Sequence, residues 1–256
     1  MKRIRNTILT ILLLSSYLLF SYYYFNGWWY SSIGTVLILL FSYLIWGKQF
    51  RRVTGTKISH TTFHKTVLLA FIMIVASILL IQHIGNRHMT AIQFTNCRNY
   101  FHDIFYILNE EIILGAIPLY LLIRKWKINS LLATGGLALF FAAAHFAFYR
   151  WIFLQRGTLE LTTLTTLFLV AFVRNCLIVL NGHIGYSWAL HFGWMMVMFG
   201  NRLYHVKTNV SLTEPQRFNM FLGSPEMVSI SLILAVVSFI YLTGRDKRIK
   251  KINLSE

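Results

Sequence analysis

The chain has 256 residues, of which 56% are hydrophobic and only 12% charged, against about 25% charged in an average globular protein. That composition excludes a water-soluble particle. The net charge of +16 sits in short clusters between long apolar runs, which excludes a nucleic-acid binder and assigns the charge to membrane topology.

A spanning helix needs about 20 mostly apolar residues. The first candidate, 7–25, follows Lys2, Arg3 and Arg5 and looks like a signal peptide. Ser21-Tyr22-Tyr23-Tyr24-Phe25 follows it instead of a small-residue cleavage site, so it is read as an uncleaved span. Tyr22, Tyr23, Tyr24, Trp28, Trp29 and Tyr30 then form an uncharged aromatic belt suited to a membrane interface. Further spans are expected at 31–47, 66–84, 104–123, 131–149, 159–180, 184–200 and 226–243. The stretch 201–225 is the longest outer loop; it either lies on the bilayer surface or caps a cavity. Cys97 lies in a polar loop and Cys176 in an apolar run, without metal-site spacing and with no disulfide expected between them.

Lys and Arg set the orientation. Lys2, Arg3, Arg5, Lys48, Arg51, Arg52, Lys57, Lys65, Arg124, Lys125, Lys127, Arg245, Lys247, Arg248, Lys250 and Lys251 fall in segments on one side. Arg87, Arg98, Arg150, Arg156, Arg202, Lys207 and Arg217 fall on the other. The expectation is an all-α, polytopic transmembrane helical bundle of about eight spanning helices with both termini cytoplasmic. It forms one membrane domain, 1–256: N-terminal spans in 1–95, a core at about 100–200, and a last span with a basic tail in 226–256. No repeat or linker divides it.

An ionisable side chain at membrane depth costs about 2.5–3.5 kcal/mol on insertion scales and is a functional candidate by default. The fourth span carries Glu110 and Glu111 in Asn109-Glu110-Glu111-Ile112-Ile113-Leu114-Gly115. Adjacent helical residues point about 100° apart, so one carboxylate can face a cavity while the other takes a supporting partner. The fifth span ends in Phe141-Ala142-Ala143-Ala144-His145, and the seventh contains Gly185-Tyr186-Ser187-Trp188-Ala189-Leu190-His191-Phe192-Gly193-Trp194. Arg174 and Asn175 lie within the sixth. The bland readings are packing histidines and an ion pair between the glutamates and Arg174. His83, His88, His102, His183 and His205 lie near span ends or in loops and receive no role.

These stretches resemble the CAAX protease and bacteriocin-processing (CPBP, Abi) family of intramembrane proteases, whose motifs are Glu-Glu-x-x-x-Arg, Phe-x-x-x-His and His-x-x-x-Asn or -Asp. Glu110-Glu111 matches the start of the first, Phe141 to His145 all of the second, and His191 the start of the third. The likeness covers about residues 100–200. It departs at Gly115, where the family has Arg, and at Met195, where it has Asn; Arg174 and Asn175 are candidate substitutes. The resemblance implies a glutamate intramembrane protease that hydrolyses a peptide or lipidated peptide in a cavity in the outer half of the bilayer. Glu110 with His145 would hold and deprotonate water, His191 would polarise the scissile carbonyl, and Glu111 would support the site or orient His145. Glu110, His145 and His191 could also bind Zn²⁺, but His-Glu-x-x-His is absent and the metal-free form is favoured, with no cofactor. The implied location is a bacterial plasma membrane; the implied partners are membrane lipid, the peptide substrate and a partner protein, with no nucleic acid. Two other classes stay open. One is a non-proteolytic homologue acting as a membrane partner or in acyl transfer to lipid or lipoprotein. The other is a transporter or bacteriocin-immunity protein.

Overall fold

The computed structural model describes residues 2–24, 28–95, 97–148 and 160–253. Each of the expected apolar stretches is helical: α1 (Lys2–Tyr24), α2 (Trp28–Trp46), α3 (His60–Arg87), α4 (Cys97–Glu111), α5 (Ser130–Phe148), α6 (Leu161–Asn181), α7 (Gly185–Met198) and α8 (Pro225–Asn253). α4 continues to Lys125 through two widened, π-helical turns, Ile112–Ala116 and Tyr120–Lys125. Insertions of this kind often lie beside functional residues, and the first one directly follows Glu111.

Among the described residues five helices are long and apolar enough to cross a membrane: Tyr30–Val53, His60–Arg87, Tyr100–Lys125, Leu161–Asn181 and Pro225–Asp246. The apolar parts of α1 and α5, Ile4–Phe20 and Ser130–His145, are shorter, and α7 has 14 residues. The protein is an all-α membrane protein. Several helices run past the expected ends because polar turns continue them. α3 starts at His60, where the Ser59 hydroxyl accepts from the Thr62 N–H at 3.1 Å, an N-cap that apolar counting does not see. α6 stops at Gly182, whose φ of +72° lets its N–H close on the Ile178 carbonyl, a left-handed C-cap that favours glycine.

Side-chain bonds show how the helices run. Trp46, closing α2, donates to Thr10 near the start of α1 at 2.9 Å. The Ile184 N–H, before α7, bonds the Gly55 carbonyl after α2 at 3.0 Å. Ser130, opening α5, bonds Asp246 late in α8, and Arg245 bonds the Val179 carbonyl late in α6. At the opposite end Arg87, closing α3, pairs with Glu226, opening α8, at 2.5 Å. There Tyr100, early in α4, donates to Asn201, just after α7. Successive helices therefore alternate in direction, and Arg52, Arg124 and Arg245 gather at one end.

α4 is the most enclosed of the five long helices, with 61% of its apolar window buried against 22% for α3. α3 and α8 instead expose Leu68, Phe71, Ile233 and Tyr241, as lipid-facing helices do. α7 packs closely on α3 because two glycines permit it: a Cβ on Gly193 would lie 2.5 Å from Met73 Cβ, and one on Gly185 2.6 Å from Thr66 Oγ1. Small residues at such crossings replace a hydrophobic driving force that lipid does not supply.

A short sheet adds to the helices, and the sequence patterns do not foreshadow it. β1 (Thr90–Gln93) pairs antiparallel with β2 (Arg202–His205), Thr90 opposite His205 and Gln93 opposite Arg202. This ladder ties the end of α3 to the 201–225 loop. The loop then turns inward through Glu214–Arg217 and a wide turn, burying Phe218, Phe221 and Leu222. Of the two expectations for this loop, capping a cavity is the one its geometry matches. The side chains of Tyr22, Tyr23, Tyr24, Trp28, Trp29, Cys97 and Arg98 lie outside the described residues, as do Arg150 and Arg156; Cys176 is a buried free thiol.

Candidate functional site

α4 and α7 bring the carboxylates and one imidazole together. Glu111 is fully buried. Its Oε2 accepts from Ser187 Oγ at 2.6 Å and its Oε1 faces His191 Nδ1 at 3.0 Å. Ser187 and His191 are four residues apart, so they stand one above the other on the same face of α7. An ionised carboxylate only accepts hydrogen bonds, so Nδ1 carries the proton donated to Glu111. His191 Nε2 then lies 3.7 Å from Glu110 Oε2, and Glu110 Oε1 accepts from Tyr106, one turn earlier on α4, at 2.8 Å. The two neighbours thus divide as their angular separation dictates: Glu110 faces a cavity and Glu111 supports from behind.

That cavity has a volume of about 330 Å³. Glu110, His191, His145, Phe141, Arg174, Tyr106 and Ser187 line it, among apolar side chains such as Met73, Leu80, Val170 and Leu234. Phe218 and Leu222 of the inward loop close it. His145 faces the Phe141 carbonyl through Nδ1 at 2.9 Å. A carbonyl only accepts, so Nδ1 carries the proton and Nε2 the lone pair. The His145 ring packs on Phe141 at 4.4 Å between centroids, and Phe141 lies 6.4 Å from the His191 ring.

Arg174 comes from α6. Its guanidinium stacks 4.3 Å above the Phe141 ring and donates from Nη2 to the Leu114 carbonyl at 2.7 Å and to Asn175 Oδ1 at 3.2 Å. A Cβ placed on Gly115 would lie 3.9 Å from Arg174 Nε and Nη2 and 2.8 Å from Ile178 Cδ1. Arg174 therefore reaches the neighbourhood of position 115 from another helix, and the glycine there leaves room for Ile178. Arg174 makes no ion pair within 4 Å with either glutamate among the described residues, so the bland reading of a structural ion pair does not account for these charges. Asn175 holds Arg174 with Oδ1 and the Thr134 carbonyl with Nδ2; it is fully buried away from the cavity and positions Arg174.

Three residues of the site carry no family motif. Tyr106 and Ser187 each precede an expected site residue by one helical turn, a spacing visible in the sequence. Trp194 lines the cavity one turn beyond His191, and its Nε1 is buried without a protein partner among the described residues, as is Arg174 Nη1. Met195, in the family's amide position, lines the same cavity and supplies no donor. An unsatisfied buried donor costs about 1–3 kcal/mol, and a polar occupant of the cavity would remove that cost.

Of the two roles expected for Glu111, supporting the site or orienting His145, its geometry matches the first: it holds His191. The reason is packing, since α7 lies along the first part of α4 while α5 contacts only its later turns. The zinc alternative meets a poor donor set. Among the described residues no group of three or more His, Cys, Asp and Glu side chains is arranged to hold a metal ion. No step below uses a metal.

No family model, curated protein or solved structure matches this chain. The family likeness therefore rests on the motif residues alone.

Proposed function

We propose that the protein is an intramembrane endopeptidase of the CAAX protease and bacteriocin-processing type, acting on a peptide or lipidated peptide with water activated by Glu110. One observation carries the reading: His191, clamped by Glu111, faces Glu110 across the wall of an enclosed, mostly apolar cavity. Glu110 accepts a proton from water held between it and the lone pair on His145 Nε2, and the resulting hydroxide attacks the scissile carbonyl. As the oxyanion forms, Arg174 Nη1 and Trp194 Nε1 supply the donors that Met195 lacks. A lost oxyanion donor typically costs about 100- to 1000-fold in rate, so this substitution matters. The proton passes to the leaving amine through His191, whose imidazolium Glu111 stabilises.

The proposed orientation puts the end bearing Arg52, Arg124 and Arg245 in the cytoplasm of a bacterial cell, with both termini there. Glu110 lies in the first half of α4 and His145 late in α5, both toward the opposite end. This supports a cavity in the outer half of the bilayer. The rival reading, a non-proteolytic homologue, draws on Met195 alone. Comparing the peptide termini in membranes of cells that express the wild type or Glu110→Gln decides between them. The protease reading expects a set of new termini that the variant lacks; identical sets would remove it.

A further inference from the structure

A second cleft, of about 110 Å³, lies at the basic end of the bundle. Arg52 reaches it from the short helix after α2, Arg124 from the end of α4 and Arg245 from α8. Ile123, Ile178 and Val179 form an apolar floor, and among the described residues no carboxylate lines it. Arg245 is fixed in place by its bond to the Val179 carbonyl. Arg52 and Arg124 are exposed, and neither pairs with a carboxylate among the described residues. Three arginines bordering one small cleft repel one another, and guanidinium matches phosphate oxygens with two parallel hydrogen bonds.

We propose that this cleft binds the phosphate of an anionic phospholipid headgroup. Basic pockets between helix ends at a membrane surface are suited to that chemistry. The apolar floor favours a lipid over free phosphate, because the glycerol and upper acyl chain can lie on it. The exposed Trp126 just beyond α4 fits a position at headgroup level. The site stands apart from the catalytic cavity and does not depend on the protease reading.

The test uses the full chain purified in a neutral detergent. Phosphatidylglycerol, phosphatidylcholine or inorganic phosphate is added at equal concentration, and thermal unfolding and native mass spectrometry are recorded. Phosphatidylglycerol alone should raise the unfolding midpoint and survive as a discrete adduct. Arg52→Gln with Arg124→Gln should weaken that binding about thirtyfold, the loss expected for two cations near a headgroup. Arg51→Gln with Lys57→Gln removes the same charge outside the cleft and should leave binding unchanged. If the double cleft variant does not fold, Arg52→Gln alone should weaken binding about fivefold. An adduct undiminished in the cleft variants would overturn the proposal, as would an equal loss in the control. An equal shift with inorganic phosphate would overturn the lipid as its ligand.

Discussion

Replacing Glu111 separates its charge from its shape. In Glu111→Gln the side-chain oxygen can still accept from His191 Nδ1. The new amide can donate to Ser187 Oγ, because the Ser187 hydroxyl has a second acceptor in the Ile184 carbonyl at 2.9 Å. The network survives with neutral partners. Bonds to a charged group contribute about 1.5–3 kcal/mol and neutral ones about 0.5–1.5, so two weakened bonds should cost about 2–3 kcal/mol. Glu111→Leu fits the apolar surroundings but removes both bonds to the carboxylate, about 1.5–3 kcal/mol each, and leaves His191 Nδ1 with no acceptor, so it should cost about 3–6 kcal/mol. Glu110 keeps only the Tyr106 bond and faces the cavity, so Glu110→Gln should cost about 1 kcal/mol or less. One kcal/mol shifts the midpoint by about 2–4 °C for a chain of this size. Thermal unfolding in detergent should therefore show the largest loss for Glu111→Leu, a smaller one for Glu111→Gln and the smallest for Glu110→Gln. Equal midpoints for the two substitutions of Glu111, or a larger loss on substituting Glu110, would refute the assigned geometry.

Other consequences are open to measurement. Gly193→Ala forces a methyl against the α3 backbone and should cost about 1–3 kcal/mol. Gly136→Ala, with nothing within 4 Å of the new methyl, should stabilise the helix by about 1 kcal/mol; the opposite signs are read from the same unfolding assay. Burial holds the Glu214 carboxyl up at about 7, above its usual 4.5 and against the pull of Arg217. The folded state then binds the extra proton between those values, so stability falls as pH rises from about 4.5 to 7, and Glu214→Gln should flatten that slope. Trp194→Phe keeps an aromatic ring and deletes the donor, so peptide cleavage should fall about 100-fold or more, well beyond the modest drop in the unfolding midpoint that the smaller ring causes.

The catalytic candidates were legible because charge in an apolar run is costly, so Glu110, Glu111 and Arg174 stand out wherever they occur. Their division of labour was half legible. The turn between adjacent residues predicts that Glu110 and Glu111 part, but which histidine Glu111 meets depends on whether α5 or α7 lies beside α4, and the motifs do not encode that. That Arg174 comes close to Gly115 could be suspected from its lone charge in an apolar run, but its bond to the Leu114 carbonyl depends on how α6 packs on α4. Trp194 reads as packing in an apolar stretch, and its donor gains meaning only when the cavity is known. β1 and β2 were invisible because each has four residues and its partner is over a hundred positions away.

The role proposed for Glu110 is to activate water against a peptide bond. It is measured by cleavage of a library of membrane-anchored peptides by the purified protein in proteoliposomes made in ¹⁸O-labelled water. Each newly formed C-terminal carboxylate should carry one ¹⁸O atom, and Glu110→Gln should yield no such product. Labelled product formed equally well by the Glu110→Gln protein would contradict that role.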